Sequence, residues 1–219
     1  MSNSTHAAVS RPEQRVVMDD VPWSVYLGLV EASDGRHTRI AYDQGVMEIM
    51  SPSRVHETEG NLIGRMVETF TEEAGLPLDV VASTTFKRDD LERGFEADES
   101  YYIANCAAVS GLEEIDLSIH PPPDLVIEVD ISRSSMKKFG IFSSLGIPEV
   151  WRYDRDQVHV FVLNSEGEYD SAEESVVLPG FPVKDVPRWV EKWRTINQTE
   201  LIRAFRREVQ AQLADPSDD

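Results

Sequence analysis

The amino-acid sequence predicts a mixed α/β domain: one central mixed β-sheet flanked by helices, with two further helices at its C-terminal end. Three observations carry this expectation. Runs that alternate apolar and polar residues, the period of a half-buried strand, recur through the middle of the chain. Segments with apolar residues three and four apart, the period of a helix, interrupt them. No internal repeat or long linker divides the 219 residues, a length that at roughly 150 residues per domain corresponds to one domain with an appendage. Residues 1–15 are polar and small and read as a disordered segment, 16–183 as the main domain, 184–214 as a helical extension and 215–219 as a disordered tail.

The elements follow in order. VPWSVYLGLVEAS (21–33) has Pro22 at an early helical position and Trp23, Tyr26, Leu27 and Val30 on one face, so the spacing predicts a helix. RIAYDQGVMEIMS (39–51) reads as two short strands turning at Gln44-Gly45. Ser53 can cap, and Gly75 end, a helix whose apolar face is Leu62, Ile63, Met66, Val67 and Phe70. Three strands are expected next, in LDVVASTTFKR (78–88), FEADESYYIAN (95–105) and, beyond a triple proline, DLVIEVDIS (124–132). Ser134 or Ser135 can cap a short helix, SMKKFGIFSSLG (135–146). PEVWRYD (148–154) and QVHVFVLN (157–164) form a strand pair turning at Arg155-Asp156, and GEYDSAEESVVLP (167–179) is a further strand or extended edge. PRWVEKWRTI (187–196) places Trp189 and Trp193 four apart on a helix. Asn197 with Glu200 then marks a new helix start, lined by Leu201, Ile202, Phe205, Val209 and Leu213.

Composition narrows the functions. The chain has 21 Lys and Arg against 40 Asp and Glu, a net charge of −19, which disfavours a simple nucleic-acid binder because a duplex carries about one negative charge per ~1.7 Å. The charge is uneven, with seven basic residues against three acidic ones between Lys184 and Arg207. That region is either a candidate for contacts with a nucleic-acid backbone or an amphipathic helix docked on the sheet or a second subunit. The single cysteine, Cys106, excludes an internal disulfide and a multi-cysteine metal centre. No charged-then-apolar leader opens the sequence, and no apolar run approaches the ~18–20 residues that span a bilayer. A cytoplasmic protein with no membrane partner is expected.

The most informative stretch is DLVIEVDIS. Strand alternation puts Leu125, Ile127, Val129 and Ile131 on one side and Asp124, Val126, Glu128 and Asp130 on the other, with same-side neighbours ~7 Å apart. Burying the Glu128 charge without compensation would cost several kcal/mol. Carboxylates this close repel unless a cation lies between them or one keeps its proton. Their oxygens are the hard ligands that Mg²⁺ and Mn²⁺ prefer. The alternative is the solvent face of an edge strand in an acid-rich chain. In FEADESYYIAN, Asp98, Ser100 and Tyr102 share a face opposite Glu99, Tyr101 and Ile103. Taken alone, Asp98 is as readily a turn residue. Lys138, eight residues beyond Asp130, falls in the next expected helix, where a lysine is ordinarily solvated and Lys137 competes for any role.

Taken together, FEADESYYIAN, PPDLVIEV, a lysine eight residues ahead of Gly146, and GIPEVWRYD resemble the Uma-type family of restriction endonucleases, bacterial members of the PD-(D/E)XK nuclease superfamily. The resemblance runs from about Ile40 to Tyr153 and takes in MSPSRVHE and STTFKRDDLERG. It implies a restriction-endonuclease-like core. It implies that Asp98 is the acid of the first half-motif, with Ala97 in place of the usual proline, and Glu128 the acid of the second. The lysine expected two residues after Glu128 is absent, Asp130 stands there, and Lys138 takes the role from the following helix. His56 and Glu57 fall where the family has a histidine at the start of its first core helix, as an auxiliary metal or phosphate contact.

The implied reaction is hydrolysis of DNA phosphodiester bonds assisted by Mg²⁺ or Mn²⁺. Asp98, Glu128, the backbone carbonyl of Val129 and Asp130 would hold the metal, and Lys138 would position or deprotonate the water, or stabilise developing charge. A homodimer would supply the two sites that double-strand cleavage needs. The alternative is a catalytically silent descendant serving as a binding or scaffold module. A carboxylate-pair glycosidase has no other support. The sequence has no G-x-S-x-G elbow, P-loop or dinucleotide-type glycine pattern.

Overall fold

A computed structural model describes residues 13–33, 38–130 and 138–214. From the N-terminus come β1 (Gln14–Met18), α1 (Trp23–Ser33), β2 (Arg39–Asp43), β3 (Val46–Ser51) and α2 (Arg54–Ala74). Next are β4 (Asp79–Val80), β5 (Thr85–Arg88), β6 (Arg93–Glu96), β7 (Glu99–Tyr102) and the short α3 (Cys106–Val109). The rest comprises β8 (Leu125–Val129), α4 (Phe139–Ser144), β9 (Glu149–Tyr153), β10 (Val158–Leu163), β11 (Tyr169–Ala172), α5 (Val186–Lys192) and α6 (Gln198–Ala214).

Local chemistry explains where these elements begin and end. Gln44 and Gly45 both adopt positive φ (46° and 103°), the combination that closes a two-residue hairpin between β2 and β3. The Ser53 side chain accepts the His56 N–H at 3.2 Å, and Gly75 closes α2 in the left-handed conformation at φ 67°. Asn197 accepts the Glu200 N–H at 3.0 Å at the head of α6, as its spacing predicts. Asp154 to Gln157 turn β9 into β10, with Arg155 at φ 77°.

The mixed α/β class stands, but the single central sheet becomes two. One is antiparallel, in the order β1-β3-β2-β6-β5; the other runs β11-β10-β9-β8-β7-β4 and is mixed, with β8 and β9 parallel. The expected strands 78–88 and 95–105 each break and pass from one sheet to the other. β4 and β7 lie in the mixed sheet, whereas β5 and β6 lie in the antiparallel one. Ala97 is fully buried at the second crossing, and the Asp98 carboxylate accepts the Val129 N–H at 2.8 Å. The face shared by Ser100 and Tyr102 therefore does not extend to Asp98, which stands outside the strand. The expected strand over 167–179 ends at Ala172, because Ser175 and the N–H groups of Val176 and Val177 bond to Glu149 instead. Gln14 and Arg15 pair with β3. The proposed caps Ser134 and Ser135, Ile131 and Lys137 lie outside the described residues.

Three apolar clusters hold the layers together. Leu62, Ile63, Met66 and Phe70 of α2 pack on Ile127, Val129 and Trp151, with Trp189, Leu201 and Phe205 of α5 and α6 closing over them. Between the two sheets lie Phe86, Phe95, Tyr102, Val126, Val150 and Phe142. Tyr26 of α1 covers Ile40, Tyr42 and Met47. β8 is thus an interior strand with both faces covered, which rules out the edge-strand reading of Glu128. Among the described residues no helix is long and apolar enough to cross a membrane.

The glycines of α2 set how closely it approaches the mixed sheet. A Cβ at Gly60 would meet Val129 Cγ2 at 3.5 Å, an ordinary contact, whereas one at Gly64 would come 2.5 Å from the Tyr101 hydroxyl and 3.2 Å from the Glu99 carboxyl. Gly64→Ala is therefore expected to destabilise by about 1–3 kcal/mol. Gly60→Ala is expected to be neutral or to stabilise by up to ~1 kcal/mol through helix propensity. Urea midpoints at unchanged m-value check both.

Candidate active site

The parallel strands β8 and β9, the seam between the sheets and the heads of α2 and α4 converge on one polar cluster. Glu128 is the penultimate residue of β8, and Lys138 is the residue immediately before α4. Lys138 Nζ donates to Glu128 Oε2 at 2.6 Å, with both side chains largely buried. The Asp98 carboxylate accepts from Val129 N–H through Oδ2, while Oδ1 lies 2.9 Å from His56 Nε2. That second approach is off the axis of a hydrogen bond, so it is a charge contact. The Arg39 Nε stands 3.9 Å from the same oxygen. His56 is 1% exposed and meets Glu13 Oε2 at 2.6 Å through Nδ1. Arg15 pairs with Glu13 and with Glu48.

The electrostatics follow from burial and charge. Burial pushes the Asp98 carboxyl up, but the His56 contact, the charges of His56 and Lys138, and the Val129 N–H outweigh it and hold it below the usual carboxylate range. The same burial opposes a charged His56 ring, and contact with Asp98 and Glu13 overcomes it and raises its pKa. Burial opposes the Lys138 ammonium as well, yet the charges of Glu128 and Asp98 raise it. Glu128 goes the other way. Burial, joined by repulsion from Asp98, prevails over the attraction of Lys138 and lifts its carboxyl above the ordinary range.

Buried carboxylates here differ in how fully they are bonded. Glu149 receives the Trp151 indole and Ser175 hydroxyl on Oε1 and the Val176 and Val177 N–H groups on Oε2. Asp124 accepts from the N–H groups of Ile103 and Asn105 and from the Asn105 amide. Both are structural ties. Glu128 has Lys138 on one oxygen, while Oε1 is buried with no partner. A buried acceptor left unmet costs about 1–3 kcal/mol, and a cation is the partner that a carboxylate oxygen beside Asp98 calls for. No group of three or more His, Cys, Asp or Glu side chains among the described residues is placed to hold one ion. Mg²⁺ is commonly bound through only one or two carboxylates and keeps several waters, so Asp98 and Glu128 fit it as a pair.

The structure thus brings together Asp98, Glu128, Lys138 and His56. Glu57, 42% exposed, points outward to Arg39 at 3.4 Å, and its side chain makes no ion pair or hydrogen bond with any of these four. The Asp130 N–H donates to the Tyr153 carbonyl, and its carboxylate retains a buried, unpartnered Oδ1. Sequence reasoning missed Glu13, Arg15, Arg39 and Glu48. Glu48 carried the signal that exposed Glu128, a carboxylate between apolar strand residues, here Met47 and Ile49. Arg39 and Glu13 carried none.

The profile of the Uma2 family, whose description reads "Putative restriction endonuclease", matches residues 23–194. The match leaves out β1 and α6, and with β1 the residues Glu13 and Arg15. Among solved structures, one titled "a putative nuclease belonging to DUF820", from Anabaena variabilis ATCC 29413, is similar at 17% identity and a TM-score of 0.48, over 69% of this chain and 90% of that one. No curated protein matches the chain.

Beside the site, burial and the neighbouring charge of Glu68 push the Glu99 carboxyl from 4.5 up to about 7. Between those two values the folded protein keeps a proton that the unfolded chain releases. Its contribution to stability is therefore full below pH ~4.5 and lost as pH rises toward 7, a decline of up to about 3 kcal/mol. Glu99→Gln is expected to remove that decline, so urea unfolding at pH 5 and pH 8 should show a smaller difference in the variant than in the wild type.

Proposed function

The chain belongs to the Uma2 family, and on that premise we propose that it is a nuclease that hydrolyses DNA phosphodiester bonds with Mg²⁺ or Mn²⁺ held by Asp98 and Glu128. The observation that carries this reading is the unpartnered, buried Oε1 of Glu128 beside an ionised Asp98 and the Lys138 ammonium. Asp98 and Glu128 would hold a divalent ion there, which would supply the charge that polarises the phosphate and acidifies water. The Val129 carbonyl, from the residue whose N–H already ties β8 to Asp98, and Asp130, with its own unpartnered oxygen, are the further ligand candidates.

The protein's own groups divide the remaining work. Lys138 brings positive charge to the phosphate oxygens as the pentacovalent arrangement gains negative charge. His56, fixed between Glu13 and Asp98, keeps the Asp98 carboxylate charged and oriented. Water attacks phosphorus, one P–O ester bond breaks, and the leaving oxygen takes a proton. The carboxylates repel a polyanion until a cation reverses the local field, which reconciles the site with a net charge of −19.

The test is cleavage of supercoiled and single-stranded DNA by purified protein in Mg²⁺, in Mn²⁺ and in EDTA, with Glu128→Gln and Asp98→Asn prepared in parallel. Metal-dependent cutting that falls at least about 100-fold in both variants is the expected result, since each removes transition-state charge stabilisation. Equal traces from all three proteins would mean contamination. No cutting by the wild type under any condition would favour the silent binding or scaffold module.

A further inference from the structure

Among the described residues, one arginine near the site has no hydrogen-bond or carboxylate partner. Of the partly buried arginines, Arg15, Arg39, Arg88, Arg93 and Arg206 pair with carboxylates, and Arg65 donates to Gln198. Arg152 makes no hydrogen bond or ion pair among the described residues, and its Nε is buried without a partner. In a chain with 40 acidic residues this is not for want of carboxylates. Arg152 faces Glu128 in register across the parallel pair of β8 and β9, so the two side chains share a face of the sheet on strands roughly 5 Å apart. Its guanidinium leans the other way, toward β10, and stands 5.6 Å from the centre of the Phe161 ring.

Phe161 is one wall of an open cleft of about 480 Å³ whose other aromatic walls are Phe139 and Tyr169. The Phe139 ring meets Phe161 at 4.8 Å and Tyr169 at 5.2 Å, both edge to face. The Tyr169 hydroxyl is tied to the Ile147 carbonyl at 2.6 Å, which fixes that wall. All three rings are partly exposed. Phe139 directly follows Lys138, so the cleft begins one residue from the ion pair with Glu128.

Partly exposed aromatic rings bind unpaired bases by stacking, and an unpaired arginine binds phosphate through its fork of donors. The cleft volume lies within the ~300–1,000 Å³ of small-ligand sites, enough for one nucleoside. We propose that Arg152 and the cleft formed by Phe139, Phe161 and Tyr169 are a nucleotide subsite, in which the guanidinium takes a backbone phosphate next to the one cleaved and the rings take its unpaired base. This deepens the nuclease reading and rests on it, and it names single-stranded DNA as the substrate class. Glu168, exposed at the rim, disfavours a phosphate inside the cleft and leaves that role to Arg152.

Fluorescence anisotropy with a labelled single-stranded oligonucleotide and with the matching duplex tests this, in Ca²⁺, a hard cation that the carboxylates can hold, with gels verifying that the strand stays intact, over a range of monovalent salt concentrations. The wild type is expected to bind the single strand more tightly than the duplex. Arg152→Gln should weaken single-strand binding about tenfold and lower the slope of log K against log salt by about 0.7, the loss of one phosphate contact. Phe161→Leu should weaken it at least about fivefold with the slope unchanged, because stacking carries no counterion term. Thermal melts verify that each variant is folded. Should Phe161→Leu unfold, the salt slope of Arg152→Gln decides alone. Wild-type affinity and slope in a folded Arg152→Gln, or equal binding of single strand and duplex, would overturn the subsite. Metal-dependent cleavage by the wild type alongside such a result would leave the nuclease reading standing. Absence of both binding and cleavage would remove the two together.

Discussion

A carboxylate at the inner end of an interior strand has to be balanced by charge brought from elsewhere, and around Glu128 and Asp98 that balance is assembled from four separate elements. Lys138 arrives from the head of α4, His56 from the first turn of α2 and Arg39 from β2, while Arg15 of β1, paired with Glu13 and Glu48, adds its charge from farther off. Each needs a particular piece of architecture. The Ser53 cap fixes where α2 begins and so where His56 points. The parallel pairing of β8 and β9 requires a crossover, and α4 within it delivers Lys138 over the strand end. The crossing at Ala97-Asp98 turns the Asp98 carboxylate back onto β8, where the Val129 N–H donates to it. Remove one cation and a buried carboxylate is stranded, which in comparable settings costs about 3–5 kcal/mol. Both sheets and two helices therefore meet at this cluster.

What the sequence made legible was local. The α2 helix was readable from Ser53, Gly75 and a single apolar face, and the β2–β3 hairpin from Gln44-Gly45, because caps and tight turns are decided by a few adjacent residues. The two breaks at 81–84 and 97–98 were not readable. Neither 78–88 nor 95–105 contains a Gly or Pro to mark a break, and a switch between sheets is decided by which partner strand supplies hydrogen bonds, information that lies in β8 and β2. Glu128 stood out because a charge interrupts an apolar run, yet Glu48 and Glu149 do the same. Glu48 joins the site through Arg15, whereas Glu149 is bonded by Trp151, Ser175 and a loop. Only the fold separates a carboxylate that holds structure from one with an oxygen to spare. Lys138 came from family resemblance alone, since spacing could not tell it from Lys137.

The distribution of charge is as informative as its sum. A net charge of −19 describes the surface a polyanion meets at a distance. Near the site the partly buried arginines are almost all committed to carboxylates, which tie β1 to β3 and β2 to α2, and among the described ones Arg152 alone makes no hydrogen bond or ion pair, its guanidinium resting only against the Phe161 ring. The basic stretch between Lys184 and Arg207 is also largely engaged. Arg188, Arg194 and Arg206 pair with Glu208, Glu191 and Glu72, and Lys192 lies 3.6 Å over the Trp189 ring. That region is the docked helical layer over α2, with Trp189 and Phe205 in the core.

The central claim is that the spare oxygen of Glu128, next to an ionised Asp98, is a divalent-cation ligand. Calorimetric titration of Mn²⁺ into the wild type and into folded Glu128→Gln, without DNA, tests it most directly. The account predicts saturable binding to the wild type that weakens at least about tenfold in the variant, since one of the two carboxylate ligands is gone. No binding to the wild type, or equal binding by both proteins, would contradict it.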